Sequence, residues 1–216
     1  SFAPLKCSIE NQYLSGHYQL LAHSEVGHYY LKNYDGDIGL VINTNWFEPF
    51  NKNSTQNSID MMDKTLGWFL NPIMFGSYPS ILSNLTIPFT EEEKIKLLNS
   101  YSFLGINHYT SYYINENNEI RKDKNWLKSK ADWLYITPFG VRKLFEYISN
   151  YYTKTIPIYI TECGMPQIKD PLIDLDRVYY LSSYLYSIQS LNHKNIKGFF
   201  VWSLLDNFEW TQGYNE

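Results

Sequence analysis

Four short, largely apolar runs, separated from one another by helical patterns, set the strongest limit on how this chain can fold. They are Leu40-Val-Ile42, Phe103-Leu-Gly-Ile106, Ile158-Tyr-Ile-Thr161 and Lys197-Gly-Phe-Phe-Val-Trp-Ser-Leu-Leu205. Strands that do not alternate apolar with polar are typically those of a parallel sheet covered on both faces, so the class is α/β. Apolar spacing of three and four predicts helices over 13–34 and 176–191. In the first, Leu14, Tyr18, Leu21, Ala22, Glu25, Val26 and Tyr29–Tyr30 fall at that spacing. The last has Val178, Leu181, Ser182, Leu185 and Ile188 on one face. Further helices are expected over 59–70, 90–99 and 138–152. Thr90 and Glu93 have the spacing of a capping box, and Thr137 stands as a cap before Pro138. Residues 1–12, 51–58 and Lys169-Asp-Pro171 read as loops, and 115–130 as a polar excursion. No shift in composition divides the 216 residues, so one domain is expected over 1–216.

Each run hands over to polar or aromatic residues. The first gives Asn43, Asn45 and Trp46, the second Asn107 and Tyr109, the third Glu162, and the fourth Trp202, Glu209 and Trp210. In a (β/α)8 barrel such strand ends converge on one mouth. Glu162 closes Pro157-Ile-Tyr-Ile-Thr-Glu-Cys-Gly164, where a carboxylate ends a buried run and Gly164 lets the backbone turn. Taken singly these residues have plainer readings. Glu162 would serve equally well in a structural ion pair, and Trp202 and Tyr109 as core residues. Taken together, carboxylates that accept from hydroxyls and indoles that stack on a ring suit a neutral polyhydroxylated ligand.

Composition narrows the partners. The net charge of −4 argues against nucleic acid or an anionic membrane as the main partner. No apolar run approaches the roughly 20 residues of a membrane helix. Cys7 and Cys163 have no spacing that suggests a disulfide framework or a metal site, and neither metal nor cofactor is expected. Asn53-Ser-Thr and Asn84-Leu-Thr are glycosylation sequons and favour a secreted or lumenal setting.

The motifs resemble those of family 1 glycoside hydrolases, the β-glucosidase and lactase-phlorizin hydrolase family. Tyr159-Ile-Thr-Glu-Cys-Gly164 is similar to the family's Y-I-T-E-N-G motif, and Val201-Trp-Ser-Leu-Leu-Asp-Asn-Phe-Glu-Trp210 to its W-S-L-L-D-N-F-E-W. Ala3-Pro-Leu-Lys-Cys-Ser8, Gly67-Trp-Phe-Leu-Asn-Pro72, Gly76-Ser-Tyr-Pro79 and Phe103-Leu-Gly-Ile-Asn-His-Tyr-Thr110 follow family segments in the same order. The resemblance covers essentially the whole chain. It implies a (β/α)8 TIM barrel, present here as roughly its C-terminal four β/α units, and a retaining β-glycosidase acting on a β-glycoside or oligosaccharide. Glu162 would be the nucleophile, and Tyr109 would donate its hydroxyl to that carboxylate and hold it in position. Asn107, Glu209 and Trp210 would bind the sugar, Trp202 would stack beneath it, and Trp133 would flank the aglycone.

Three departures qualify this. The family's acid/base glutamate lies in T-x-N-E-P, which does not occur here. Trp46-Phe-Glu-Pro49 shares only E-P, aligns with a later family segment and is expected to be structural. The acid/base would therefore lie upstream of Ser1. Cys163 replaces an asparagine, and His108 a tyrosine that strand alternation points away from the pocket. A klotho-like binding module, or one repeat of a lactase-type chain, are the other readings of such a sequence.

Overall fold

A computed structural model describes residues 8–153, 155–167, 172–191 and 194–214. In chain order these form α1 (Ile9–Asn33), β1 (Gly39–Asn43), β2 (Trp46–Pro49), α2 (Thr55–Met62), α3 (Trp68–Phe75), α4 (Glu91–Leu98), β3 (Phe103–Asn107), β4 (Ser111–Ile114), β5 (Ile120–Arg121), α5 (Pro138–Tyr151), β6 (Ile158–Cys163), α6 (Leu175–Gln189) and β7 (Ile196–Val201). The class is the α/β one expected, with strands and helices alternating as in part of a (β/α)8 barrel. The four apolar runs form one sheet in the order β1-β3-β6-β7, and a smaller sheet runs β2-β4-β5. Strands β6 and β7 are parallel, as are β2 and β4, while β4 and β5 are antiparallel. The loop expected over 51–58 is instead a 3-10 turn, Lys52–Ser54, leading straight into α2. Cys7, most of the opening segment and Lys169-Asp-Pro171 lie outside the described residues.

Contacts divide the chain into two units, Ser1–Ile42 with Asp60–Leu104, and Asn43–Ile59 with Gly105–Glu216. In the first, α1 begins four residues before its expected start, because Ser8 accepts from the Asn11 N–H as an N-cap. Its buried face is not the one that periodicity selects. Gly16, His17, Leu20, Ser24 and Gly27 are buried, whereas Leu14, Tyr18, Val26 and Tyr29 are exposed. Close approach is the reason. A Cβ on Gly16 would sit 2.4 Å from the Trp68 ring, and one on Gly27 would sit 2.1 Å from the Ser100 carbonyl oxygen. A stripe lacking side chains can take neighbours that a leucine stripe cannot. Helix α4 carries the predicted capping box: Thr90 N–H donates to Glu93 Oε2 at 2.7 Å, and Glu93 N–H to Thr90 Oγ1 at 3.3 Å.

In the second unit, Val141, Leu144, Phe145 and Ile148 of α5 are buried, and α5 packs against β2 and α6. Thr137 precedes α5 but makes no side-chain cap, contrary to expectation. Its Oγ1 faces the Tyr135 carbonyl and the Tyr184 hydroxyl. Helix α6 buries Tyr180 and Tyr184, while Val178 and Leu185 of the predicted face are exposed. The predicted buried run at β7 is also corrected. It stands last in the sheet order, and Phe200, Val201 and Trp202 are exposed.

Strand β6 is the best buried of the sheet's second half, and it is irregular. Between Ile158 and Tyr159 one step along β6 matches two along β7, and then Ile160 pairs with Phe199 and Cys163 with Val201, so three steps along β6 match two along β7. That extra residue is a β-bulge at Thr161–Glu162. It breaks the alternation, so Cys163 is fully buried like Ile158 and Ile160, while Thr161 and Glu162 are both half-buried.

Candidate active site

The site is built on strand ends joined by backbone hydrogen bonds beyond the regular ladders. Thr44 N–H donates to the Asn107 carbonyl at 3.0 Å, His108 N–H to the Glu162 carbonyl at 3.0 Å, and Trp202 N–H to the Cys163 carbonyl at 3.1 Å. Glu162 lies inside β6 rather than beyond its end, one residue short of Cys163. Gly164 is needed for space rather than for a left-handed turn. A Cβ there would meet the Trp202 carbonyl oxygen at 1.9 Å, and Gly164 is not among the glycines with positive φ.

Tyr109 donates its hydroxyl to Glu162 Oε2 at 2.5 Å. Beside this pair, Thr161 Oγ1 donates to Asn107 Oδ1 at 2.6 Å. The Trp133 ring meets the Tyr109 ring edge-on, centroids 5.8 Å apart, and its carbonyl accepts from the Tyr112 hydroxyl. After β7, Trp202 Nε1 donates to Glu209 Oε1 at 2.9 Å, and the Trp202–Ser203 peptide bond is cis. Trp210 follows on the 3-10 turn Trp210–Gln212, 74% exposed. Its φ of 46° is a left-handed backbone that L side chains seldom adopt. Asn107 is buried, whereas Trp133 and Trp202 remain half open at 49% and 42%.

Electrostatics tie the set together. Burial, then the hydrogen bond to Glu162 and its charge, hold the Tyr109 phenol far above its usual range, with Cys163 and Glu209 adding to the effect. Tyr109 is thus a proton donor over the whole working range, placed in the field of both carboxylates. Burial pushes the Cys163 thiol up to about 12, so it is neutral beside Glu162. Its Sγ lies 3.5 Å from the Tyr180 hydroxyl, which gives the sulfur a polar neighbour where the family has an amide. His108 is fully buried and turns to the Thr44 carbonyl, with Nδ1 at 3.0 Å. Its Nε2 has no hydrogen-bond partner among the described residues.

Glu48 is occupied elsewhere. Its carboxylate accepts from Trp46 Nε1 at 2.7 Å and pairs with Lys143. Sequence reasoning passed over Thr161, Tyr180 and Tyr184. The i, i+4 spacing of the two tyrosines was a legible signal, but the aliphatic residues around them suggested a different face. Among the described residues, no group of three His, Cys, Asp or Glu side chains could hold a metal, and no helix is long and apolar enough to cross a membrane.

Parallel β/α units with their polar groups gathered at the strand ends define a barrel of the (β/α)8 class. Within that class the chain belongs to glycosyl hydrolase family 1, whose model matches residues 1–216. β-Glucosidase 42 of Arabidopsis thaliana is 36% identical, over 94% of this chain and 49% of that protein. β-Glucosidase 2 of the fungus Trichoderma reesei, solved in complex with Tris, superposes with a TM-score of 0.90 at 30% identity, over 99% of this chain and 54% of that one. A rice β-glucosidase mutant in a covalent complex with Glc superposes with a TM-score of 0.84 at 30% identity, over 94% and 51%. The chain spans about half the length of the curated relatives it matches.

Proposed function

We propose that the protein is a retaining β-glycosidase in which Glu162 attacks the anomeric carbon and forms a glycosyl-enzyme. The observation that carries this is the 2.5 Å hydrogen bond from Tyr109 to Glu162 Oε2. It occupies one carboxylate oxygen and leaves Oε1 as the attacking atom. Retention needs a second carboxyl group about 5 Å away to protonate the leaving oxygen and then activate water. Since T-x-N-E-P is absent from the 216 residues, we place that group in sequence outside them. Asn107, held by Thr161, lines the same subsite. Glu209 accepts from sugar hydroxyls beside Trp202, whose ring supplies the stacking face, with Trp210 next to them. Trp133, against Tyr109, borders the aglycone. The rice relative's covalent complex with Glc supports a covalent route, and glucosides and galactosides are the substrate classes this site suits.

The test is a mechanism-based 2-fluoroglycoside on the full-length protein, followed by peptide mapping. The expected adduct is on Glu162; an adduct on any other residue overturns the assignment. Asn53 and Asn84 are both exposed, and we propose a secreted or lumenal location in which they carry glycans. Glycosidase digestion of the native protein would then increase its gel mobility.

A further inference from the structure

Tyr109 lies where no strand ladder fixes it. Strand β3 ends at Asn107 and β4 begins at Ser111. Two phenols from α6 take the ladder's place. The Tyr180 hydroxyl donates to the Tyr109 carbonyl at 2.7 Å, and the Tyr184 hydroxyl to the same oxygen at 2.8 Å. The two rings stack with centroids 4.1 Å apart and are fully buried. They are also the two residues that α6 buries.

The proton count closes. A carbonyl oxygen has two lone pairs and each phenol has one proton, so both donations are made and both lone pairs are filled. The Tyr184 oxygen then accepts from the Thr137 N–H at 3.1 Å. The Tyr180 oxygen has no proton left, so the Cys163 thiol donates to it across 3.5 Å. Burial holds both phenols above their usual range, and they keep these protons.

We propose that Tyr180 and Tyr184 are positioning residues for catalysis, clamping the Tyr109 carbonyl so that the Tyr109 hydroxyl is aimed at Glu162. The inference rests on the reading of Glu162 as nucleophile. With the carbonyl fixed, the peptide plane and the Cα–Cβ direction of Tyr109 are fixed, and the phenol reaches its carboxylate at 2.5 Å. Through Cys163, Tyr180 also touches the residue that follows Glu162. One helix face thereby registers two strand ends, those of β3 and β6, against each other. On this account a thiol at position 163 is the small donor that the clamp accommodates.

The experiment uses the full-length protein with Tyr180→Phe, Tyr184→Phe and the double variant, with Tyr179→Phe on the exposed side of the same helix as control. Each lost donor is expected to lower kcat about 5–10-fold with little change in KM. Labelling of Glu162 by a 2-fluoroglycoside is expected to slow by a similar factor, because a misaimed donor leaves the carboxylate less well held for attack. Tyr179→Phe should match the parent. If the double variant does not fold, the single variants carry the same test. A labelling rate that stays at the parent value in folded Phe variants, or a loss confined to thermal stability, overturns the clamp. The parent protein is labelled with the 2-fluoroglycoside in parallel. An adduct away from Glu162 sinks the nucleophile assignment, whereas an adduct on Glu162 formed by the Phe variants at the parent rate sinks the clamp alone.

Discussion

Tyr109 shows how much one hydroxyl is asked to do. A hydrogen bond to a charged group contributes about 1.5–3 kcal/mol, so Tyr109→Phe should lower kcat of the full-length protein by roughly 10- to 150-fold. Substrate affinity should change much less, and steady-state kinetics separate the two. A similar change in KM would place the phenol in substrate binding instead. His108 carries a different cost. Burial, opposed by its bond to the Thr44 carbonyl, lowers its pKa to about 4, against about 6.5 for a free imidazole. Between those values the unfolded chain binds a proton that the folded chain does not. Stability is therefore complete above about pH 6.5 and falls as the pH drops toward 4, by on the order of 3 kcal/mol. Urea unfolding of the full-length protein at a series of pH values reads this directly. His108→Asn keeps a donor for Thr44 but has no group to titrate, and should flatten that part of the profile. An unchanged slope would assign the pH dependence to other groups.

Among the elements, the strand starts and the α4 cap were readable because their signals are local. Thr90 and Glu93 are three residues apart and need nothing else to find each other. Thr90→Ala should cost about 1 kcal/mol, visible as a lower Tm. What could not be read was set by neighbours distant in sequence. The buried stripe of α1 is chosen by Trp68 and Ser100 pressing on Gly16 and Gly27, and nothing within 9–33 announces them. The buried pair of α6 is chosen by the Tyr109 carbonyl, so two polar-tipped rings go inside while Val178 and Leu185 stay out. Glu162 was legible by position and motif, but its orientation was not, because alternation has no means of foreseeing a bulge. Gly164 was legible as special for the wrong reason. Gly164→Ala would press a methyl group into the Trp202 carbonyl, and a cost of roughly 1–3 kcal/mol is expected. Weaker sugar binding should accompany it as the Trp202–Glu209 pair is displaced. Normal binding in a folded variant would show that the end of β7 moves freely of β6.

For the chain as a whole, the exposed apolar residues around β7 matter most. Phe200 and Val201 on the strand, then Leu204 at 93%, Leu205, Phe208 and Trp210, form a run with little cover among the described residues. A strand last in its sheet with such a sequence is a template for pairing. The 216 residues expressed alone are expected to self-associate, with light scattering that rises with concentration. A monodisperse monomer with a sharp, cooperative melt would contradict this. The bulge in β6 has a counterpart at the level of the gene. Three steps of β6 match two of β7 across Ile160–Cys163, whereas one matches two across Ile158–Tyr159, so what distinguishes this strand is where its extra residue falls as much as which residues it has. Kept regular over the same six residues, β6 would by alternation from Ile160 turn the carboxylate of Glu162 into the core and bring the Cys163 thiol out to the opposite face. An in-frame loss of Thr161 would by contrast keep both facings by plain alternation, so its cost would fall on the Thr161–Asn107 hydrogen bond rather than on the orientation of Glu162.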